Sequence, residues 1–342
     1  MTSKRPYGDN SLNGINSSWH KRFLISLILG VAVFLGFSFY ADFEQTIRAF
    51  QAFNWRYLPL ILLLVLANYL FRYLKWSYYL HILDIRISQK ESLAIFISGL
   101  TMAITPGKMG EVLKSYLLKE INGTPISRSA PIVLAERFTD FMSIALLSVF
   151  GVTTFRYGLQ TLGISFGLMG LFMVMVGWPP LSLGLIKWLT KWPLISKGAA
   201  RLETAYDSMS SLIMPKALIC TVLISCLAWF CECLGFYLVF YGFNLSYSLN
   251  SSVFIYAFST LIGALSMLPG GLGATEGSIT GFLLALNIPK HLAVASTFII
   301  RACTLWFGVV VGMIALSLTQ RKLINESGNR SLPLRHEGTK RV

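Results

Sequence analysis

Thr105-Pro106-Gly107-Lys108-Met109-Gly110-Glu111 interrupts one apolar segment of this chain, and Leu268-Pro269-Gly270-Gly271-Leu272-Gly273-Ala274-Thr275-Glu276 interrupts another. Proline lacks a backbone N–H and clashes with the preceding helical turn, while glycine leaves the backbone open. Irregular backbone at membrane depth persists only where protein or water satisfies its polar groups. Two such breaks at corresponding places in two halves point to the binding site of a carrier built from a repeat.

Composition agrees with a membrane protein. Of 342 residues, 54% are hydrophobic and 13% charged, a balance that excludes an ordinary soluble domain. Runs of eighteen or more apolar residues recur, each able to cross a hydrocarbon core roughly 30 Å thick. A net charge of +14 would suit nucleic acid if it were clustered. Here the basic residues sit in short loops and tails, where they act as topology signals and contacts to anionic lipid headgroups, so no nucleic-acid partner is expected. Cys220, Cys226, Cys231, Cys233 and Cys303 all lie in apolar segments, and His20, His81, His291 and His336 lie apart. Cys231-x-Cys233 has the wrong spacing for a zinc site, so no metal, disulfide or cofactor is expected.

Along the chain, residues 1–22 read as a polar cytoplasmic tail, 23–318 as a membrane domain and 319–342 as a basic cytoplasmic tail. Full spans are expected at about 23–40, 57–83, 131–153, 158–178, 217–241 and 292–318. The first follows Lys21 and Arg22 but has no Ala-x-Ala cleavage site, so it reads as a retained span. Asp42 to Arg56 carries Phe43, Ile47, Phe50 and Phe53 at helical spacing, as an interfacial helix would. Arg72, Lys75, Trp76, Tyr78 and Tyr79 end the second span and read as an aromatic belt with snorkelling cations. Lys187, Trp188, Lys191, Trp192, Lys197 and Arg201 read as an amphipathic helix on an anionic leaflet.

The expected fold is therefore an all-α polytopic membrane protein. It is an inverted repeat, with halves 57–178 and 217–318, two broken re-entrant hairpins and about six full spans, or eight if the hairpins cross fully. With a cytoplasmic N-terminus, 23 of the 29 lysines and arginines fall inside. Arg48, Arg56, Arg156 and Lys290 fall outside, and Arg137 and Arg301 lie within spans. That bias places both termini in the cytoplasm of a multi-pass protein.

Each break is followed by an acid and then an intramembrane arginine. Arg137 lies 31 residues after Pro106 and Arg301 lies 32 after Pro269, with Glu111 and Glu276 between. A broken helix exposes amides and the positive end of its dipole, and arginine adds a bidentate phosphate ligand. The candidate substrate-binding residues are Pro106, Gly107, Lys108, Gly110, Glu111, Arg137 and Asp140 in the first half, and Gly270, Gly273, Glu276 and Arg301 in the second. Glu232, in mid-span, and Glu136 are candidates for ion or proton coupling. Structural readings stand beside these. Arg137 can neutralise Glu136 and Asp140 within its own helix, Arg301 can pair with a distant acid such as Glu232, and Glu111 and Glu276 can complement helix N-termini. Gly263, Gly273, Gly277 and Ser278 can serve close helix packing.

The ordered blocks TPGKMGEVLKSYLL, ERFTDFMSIALLSVFG, LPGGLGATEGSITGFLL and RACTLWFGVVVGMIAL resemble the membrane domain of bacterial lysylphosphatidylglycerol synthases, the flippase-like domain family. The likeness covers roughly residues 23–318. It implies a polytopic domain of the inner (cytoplasmic) membrane that moves or exposes lipids, followed in bifunctional members by a soluble aminoacyltransferase domain. Pro106, Gly107, Gly110, Glu111, Glu136, Arg137, Asp140, Pro269, Gly270, Gly273, Glu276 and Arg301 fall in its motif blocks. Only about two dozen polar residues follow the last span, too few for such a domain. Lysyl transfer from transfer RNA is therefore not expected of this chain.

Three functions compete at this point. A flippase would move an anionic, aminoacylated or polyprenyl-linked lipid. An intramembrane lipid-modifying enzyme would need paired carboxylates, for which Glu136 and Asp140 are the one pair at suitable spacing. A non-transporting membrane partner would serve a separate glycosyl- or aminoacyltransferase. No catalytic residue is assigned, and the expected partner is a membrane phospholipid or polyprenyl lipid.

Overall fold

The computed structural model describes residues 42–105, 110–149 and 199–331, with scattered positions between 28 and 39 and between 163 and 184. Every regular element among the described residues is helical. They are α1 (Phe43–Ala52), α2 (Leu58–Ile82), α3 (Gln89–Leu100), α4 (Leu113–Asn122), α5 (Ile126–Leu147), α6 (Ala199–Leu212), α7 (Pro215–Gly242), α8 (Leu249–Leu265), α9 (Ala274–Ala285), α10 (Lys290–Arg301) and α11 (Phe307–Ser331). A π turn, Ala302–Trp306, joins the last two into one continuous rod. Trp55–Ile82, Pro215–Gly242 and Lys290–Arg321 are long and apolar enough to cross a membrane, and Leu249–Leu265 is a shorter apolar helix.

The helices are polar inward and apolar outward. On α2, Leu60, Leu63, Leu66, Leu70 and Leu74 are exposed, while Asn68, Arg72, Lys75 and Tyr79 are buried. On α7, Ile219, Leu223 and Leu227 are exposed, while Thr221, Ser225 and Glu232 are buried. A helix solvated by water does the reverse. Exposed leucines against a buried polar stripe are what hydrocarbon as solvent demands.

α2 and α7 pack antiparallel at the centre. Asn54 N donates to Gly242 O (2.9 Å), Asn68 Nδ2 to Ala228 O (2.8 Å) and Lys75 Nζ to Ser225 Oγ (2.6 Å). Each is followed by the same turn. Asp84 and Asn244 take left-handed φ of 47° and 55°, which short polar side chains tolerate. Ile85 N then donates to Leu80 O and Leu245 N to Phe240 O, both at 2.9 Å. Ser88 and Ser248 cap the next helix in each case, accepting from Glu91 N and Ser251 N. Further on, Gly123 (φ 77°) and Asn287 (φ 61°) turn the chain into Pro125 and Pro289, which cap α5 and α10.

Packing follows the same correspondence. The end helices exchange places: α11 lies on α3 and its 3₁₀ extension Thr101–Ile104, while α5 lies on α8. Gly312 makes the first contact possible, since a Cβ there would sit 2.4 Å from Thr101 N. α4 lies on α5 and α9 on α10; α1 packs on α10 and α6 on α5. One apolar core gathers around Phe236, Phe240 and Phe254, and a second around Trp76, Tyr79 and Ile95.

Several expectations change. Trp76, Tyr79, Arg72 and Lys75 do not form an interfacial belt; all four are buried against other helices. Lys114 is buried as well, so three of the 23 basic residues expected at loops and tails, Arg72, Lys75 and Lys114, lie inside the helix bundle. Phe43 and Ile47 on α1 are exposed as an interfacial helix requires, but Phe53 is buried, its ring occupying the space beside Gly242. The span expected at 131–153 begins earlier, at Ile126, and contains Pro131. The last helix runs on to Ser331, into the segment read as tail. Most of the span at 158–178, the basic stretch 187–197 and most of the first span lie outside the described residues.

Candidate functional site

Thr105 closes the first break from both sides. Its Oγ1 donates to Met102 O (2.6 Å) and accepts from Gly110 N (2.9 Å). Gly110 fits because a Cβ there would meet Thr105 Cγ2 at 2.6 Å. Pro106, Gly107 and Lys108 lie outside the described residues. At the second break Gly270, Gly271 and Gly273 all take positive φ (62°, 67° and 83°), open to glycine at little cost. Gly273 N donates to Glu276 Oε2 (2.7 Å), so Glu276 does complement the start of α9. Gly263 lies under this turn, where a Cβ would meet Thr275 Oγ1 at 2.0 Å, so it serves close packing. The two breaks touch: a Cβ on Gly270 would lie 3.5 Å from Ile104 Cα.

Around the breaks each half forms a clasp between the acid after the break and the arginine of the next long helix. In the second half Arg301 Nε donates to Glu276 Oε1 (2.6 Å), and its Nη2 donates to Gly270 O (2.7 Å). Arg301 thus closes the break on itself. Its partner is Glu276, not Glu232; Glu232 Oε2 instead accepts from Tyr256 Oη (2.6 Å).

In the first half Arg137 Nη2 lies 3.2 Å from Glu111 Oε2 and 3.2 Å from Asp140 Oδ2. Glu111 also faces Lys114 (3.6 Å) and Arg72 (3.9 Å). Glu136 is neutralised by Lys114, which donates to its Oε2, rather than by Arg137. The stem of Lys114 crosses Gly99, where a Cβ would meet its Cγ at 2.7 Å, and its ammonium lies 4.7 Å from the Trp76 ring centre. Lys75, 1% exposed, donates to Asp140 Oδ1 (2.5 Å), Ser225 Oγ (2.6 Å) and Thr139 Oγ1 (3.3 Å). That uses all three ammonium donors.

Arg72, Lys75 and Lys114 were not among the sequence candidates. The signal was there: Asn68, Arg72, Lys75 and Tyr79 stand at i, i+4, i+7 and i+11, one face of a helix.

A cavity of about 590 Å³ opens between the two halves. Arg72, Arg137, Asp140, Glu232 and Arg301 contribute its charged lining, and Gly270 and Gly271 bring the second break to its wall. Leu134, Phe138, Phe141 and Leu268 make much of the rest apolar. Arg137 differs from its neighbours. Its Nε and Nη2 are buried, and among the described residues no acceptor lies in hydrogen-bonding geometry to them. The first-half cluster holds four cations (Arg72, Lys75, Lys114, Arg137) against three carboxylates (Glu111, Glu136, Asp140), one positive charge in surplus among the described residues. Glu232, at the same cavity wall and facing Arg72, offsets that charge when it is ionised. No group of three metal-ligating side chains occurs among the described residues.

Similar proteins place the chain. A membrane protein of Methanothermobacter thermautotrophicus called UPF0104 is 25% identical over 334 residues, covering 91% of this chain and 96% of that protein. UPF0104 membrane proteins of Pyrococcus horikoshii (24% identical, 90% and 99% covered) and Methanocaldococcus jannaschii (24%, 89% and 97%) are similar over the same breadth. The family profile described as lysylphosphatidylglycerol synthase TM region matches residues 27–312. The chain belongs to that family of membrane proteins.

Proposed function

We propose that this protein is a lipid carrier of the cytoplasmic membrane, which seats the phosphate of an anionic, aminoacylated or polyprenyl-linked lipid on Arg137 and Arg72 in the central cavity. The observation that carries this reading is the guanidinium of Arg137 at the cavity wall: its buried Nε and Nη2 make no hydrogen bond among the described residues, although Nη2 lies 3.2 Å from carboxylate oxygens of Glu111 and Asp140. Arginine stays charged at any physiological pH and meets phosphate through two parallel hydrogen bonds. The carrier reading takes the two halves as an inverted repeat, and the packing supports that. Equivalent helices α2 and α7 run antiparallel, the turns after them match bond for bond, and the end helices exchange places. Such a pair of halves supplies two-sided access to one central site.

A carrier rather than an enzyme is favoured because Glu136 and Asp140, the carboxylates acid–base chemistry would use, accept hydrogen bonds from Lys114 and Lys75. Cytoplasmic termini are favoured by the charge bias of loops and tails.

Binding tests the reading. Native mass spectrometry of the purified protein should retain short-chain phosphatidylglycerol well above zwitterionic phosphatidylcholine. Arg137→Gln should erase that preference. Equal retention of both lipids by the wild type would refute the anion site.

A further inference from the structure

Glu232 sits in the middle of α7, buried in the wall of the central cavity. The matched turns after α2 and α7 align Asp84 with Asn244 and Ser88 with Ser248. The same register carried back along the two helices aligns Arg72 with Glu232. The two halves thus bring opposite charges to equivalent places on the central helix pair. Several ionisable groups face Glu232: Tyr69 and Arg72 from α2, Arg137 and Asp140 from α5, Tyr256 from α8, and Arg301 from the last rod. Its own helix adds Cys231 and Cys233. Tyr256 Oη donates to it at 2.6 Å, a contact that accommodates the carboxylate and lets the acid keep its place when protonated.

The charges around the cavity then decide what Glu232 does. The first-half cluster carries one positive charge in surplus and the Arg301–Glu276 clasp is neutral, so among the described residues the protonation state of Glu232 sets the total. With Glu232 ionised the empty site is neutral. With Glu232 protonated the site is positive, and neutral again once a monoanion binds. The two neutral states are empty-and-ionised and loaded-and-protonated. The other two leave a net charge in low dielectric, at a cost of several kcal/mol.

We infer that Glu232 takes up one proton for each phosphodiester headgroup that enters the cavity, so that the carrier moves an anionic lipid and a proton together. The inference rests on the anion site proposed above and names its coupling. The balance is one proton and one monoanion, with no net charge moved. Lipid binding then strengthens as pH falls.

The test uses proteoliposomes holding the full chain and fluorescent phosphatidylglycerol. In the wild type an imposed pH difference should drive lipid toward the alkaline side, with a steady-state ratio of about tenfold per pH unit for one-to-one coupling. Glu232→Gln should still exchange lipid without a gradient yet ignore the pH difference. Should that variant fail to fold, calorimetry on the wild type with short-chain phosphatidylglycerol, in two buffers of different ionisation enthalpy, should give one proton taken up per lipid bound. Translocation indifferent to the gradient, a Glu232→Gln protein as gradient-driven as wild type, or zero proton uptake would each overturn the coupling and leave the anion site standing. Absence of any translocation by the wild type would overturn both.

Discussion

In the first half Arg137 meets Glu111 at 3.2 Å and shares that acid with Lys114 and Arg72; in the second, Arg301 meets Glu276 at 2.6 Å and spends its other arm on Gly270 O. The same two residue types, in the same order along the chain, do different work. A tight, neutral pair buried beside its own break is structural: it ties α10 to the turn before α9. A looser arginine among shared acids is, on the proposed reading, the one that receives the phosphate. On the proposed reading, what separates binding from bracing is the company each arginine keeps, since the residue type is the same.

The largest expected effect follows from this difference. Arg301→Ala strands Glu276 in a buried site and should destabilise the fold by roughly 3–5 kcal/mol. Detergent thermal melts check it, and a wild-type melting temperature would move Arg301 to the binding side of the comparison. Arg137→Ala should cost much less, because Glu111 keeps Lys114 and Arg72 nearby and Asp140 keeps Lys75. Equal melting losses for the two variants would break the distinction.

Close packing of the exchanged helices gives the next effect. Gly312→Ala drives a methyl into the backbone at Thr101, and overpacking of that kind costs about 1–3 kcal/mol. Unchanged melts for Gly312→Ala would mean that α11 does not press on the first break. Smaller still are the matched caps. Ser88→Ala and Ser248→Ala each remove one side-chain acceptor at the start of a hairpin and should each cost about 1 kcal/mol. The comparison sharpens if the two losses agree and weakens if only one half responds.

Topology offers a check of another kind. Single cysteines near Lys119 should label from the cytoplasm and near Asn250 from outside. Labelling of both from one side would remove the inverted relation between the halves.

Much of this architecture was legible in the residues themselves. Proline with glycine cannot continue a helix, so both breaks, the short arms beside them and the order of acid and arginine stood out. The pairing of Arg137 with Glu111 and Arg301 with Glu276 realises that order in space. The rest of the cluster stayed hidden for a physical reason. Arg72, Lys75, Trp76 and Tyr79 near a span end have the composition of an interfacial belt, and only packing against α3, α4, α5 and α7 shows that they face inward. Their helical spacing carried the information, while their composition pointed elsewhere. Glu232 illustrates the converse: its depth was evident from sequence, its partner Tyr256 was not.

The central claim is that the first-half arginine carries the lipid phosphate while its second-half counterpart holds the fold. Translocation of fluorescent phosphatidylglycerol across proteoliposomes, followed by dithionite quenching, tests it directly with Arg137→Gln reconstituted at wild-type density and confirmed folded by its melt. The account predicts a loss of at least about a hundredfold in rate, on the order of 3 kcal/mol of lost phosphate contact. A folded Arg137→Gln protein that moves the lipid at the wild-type rate would contradict it.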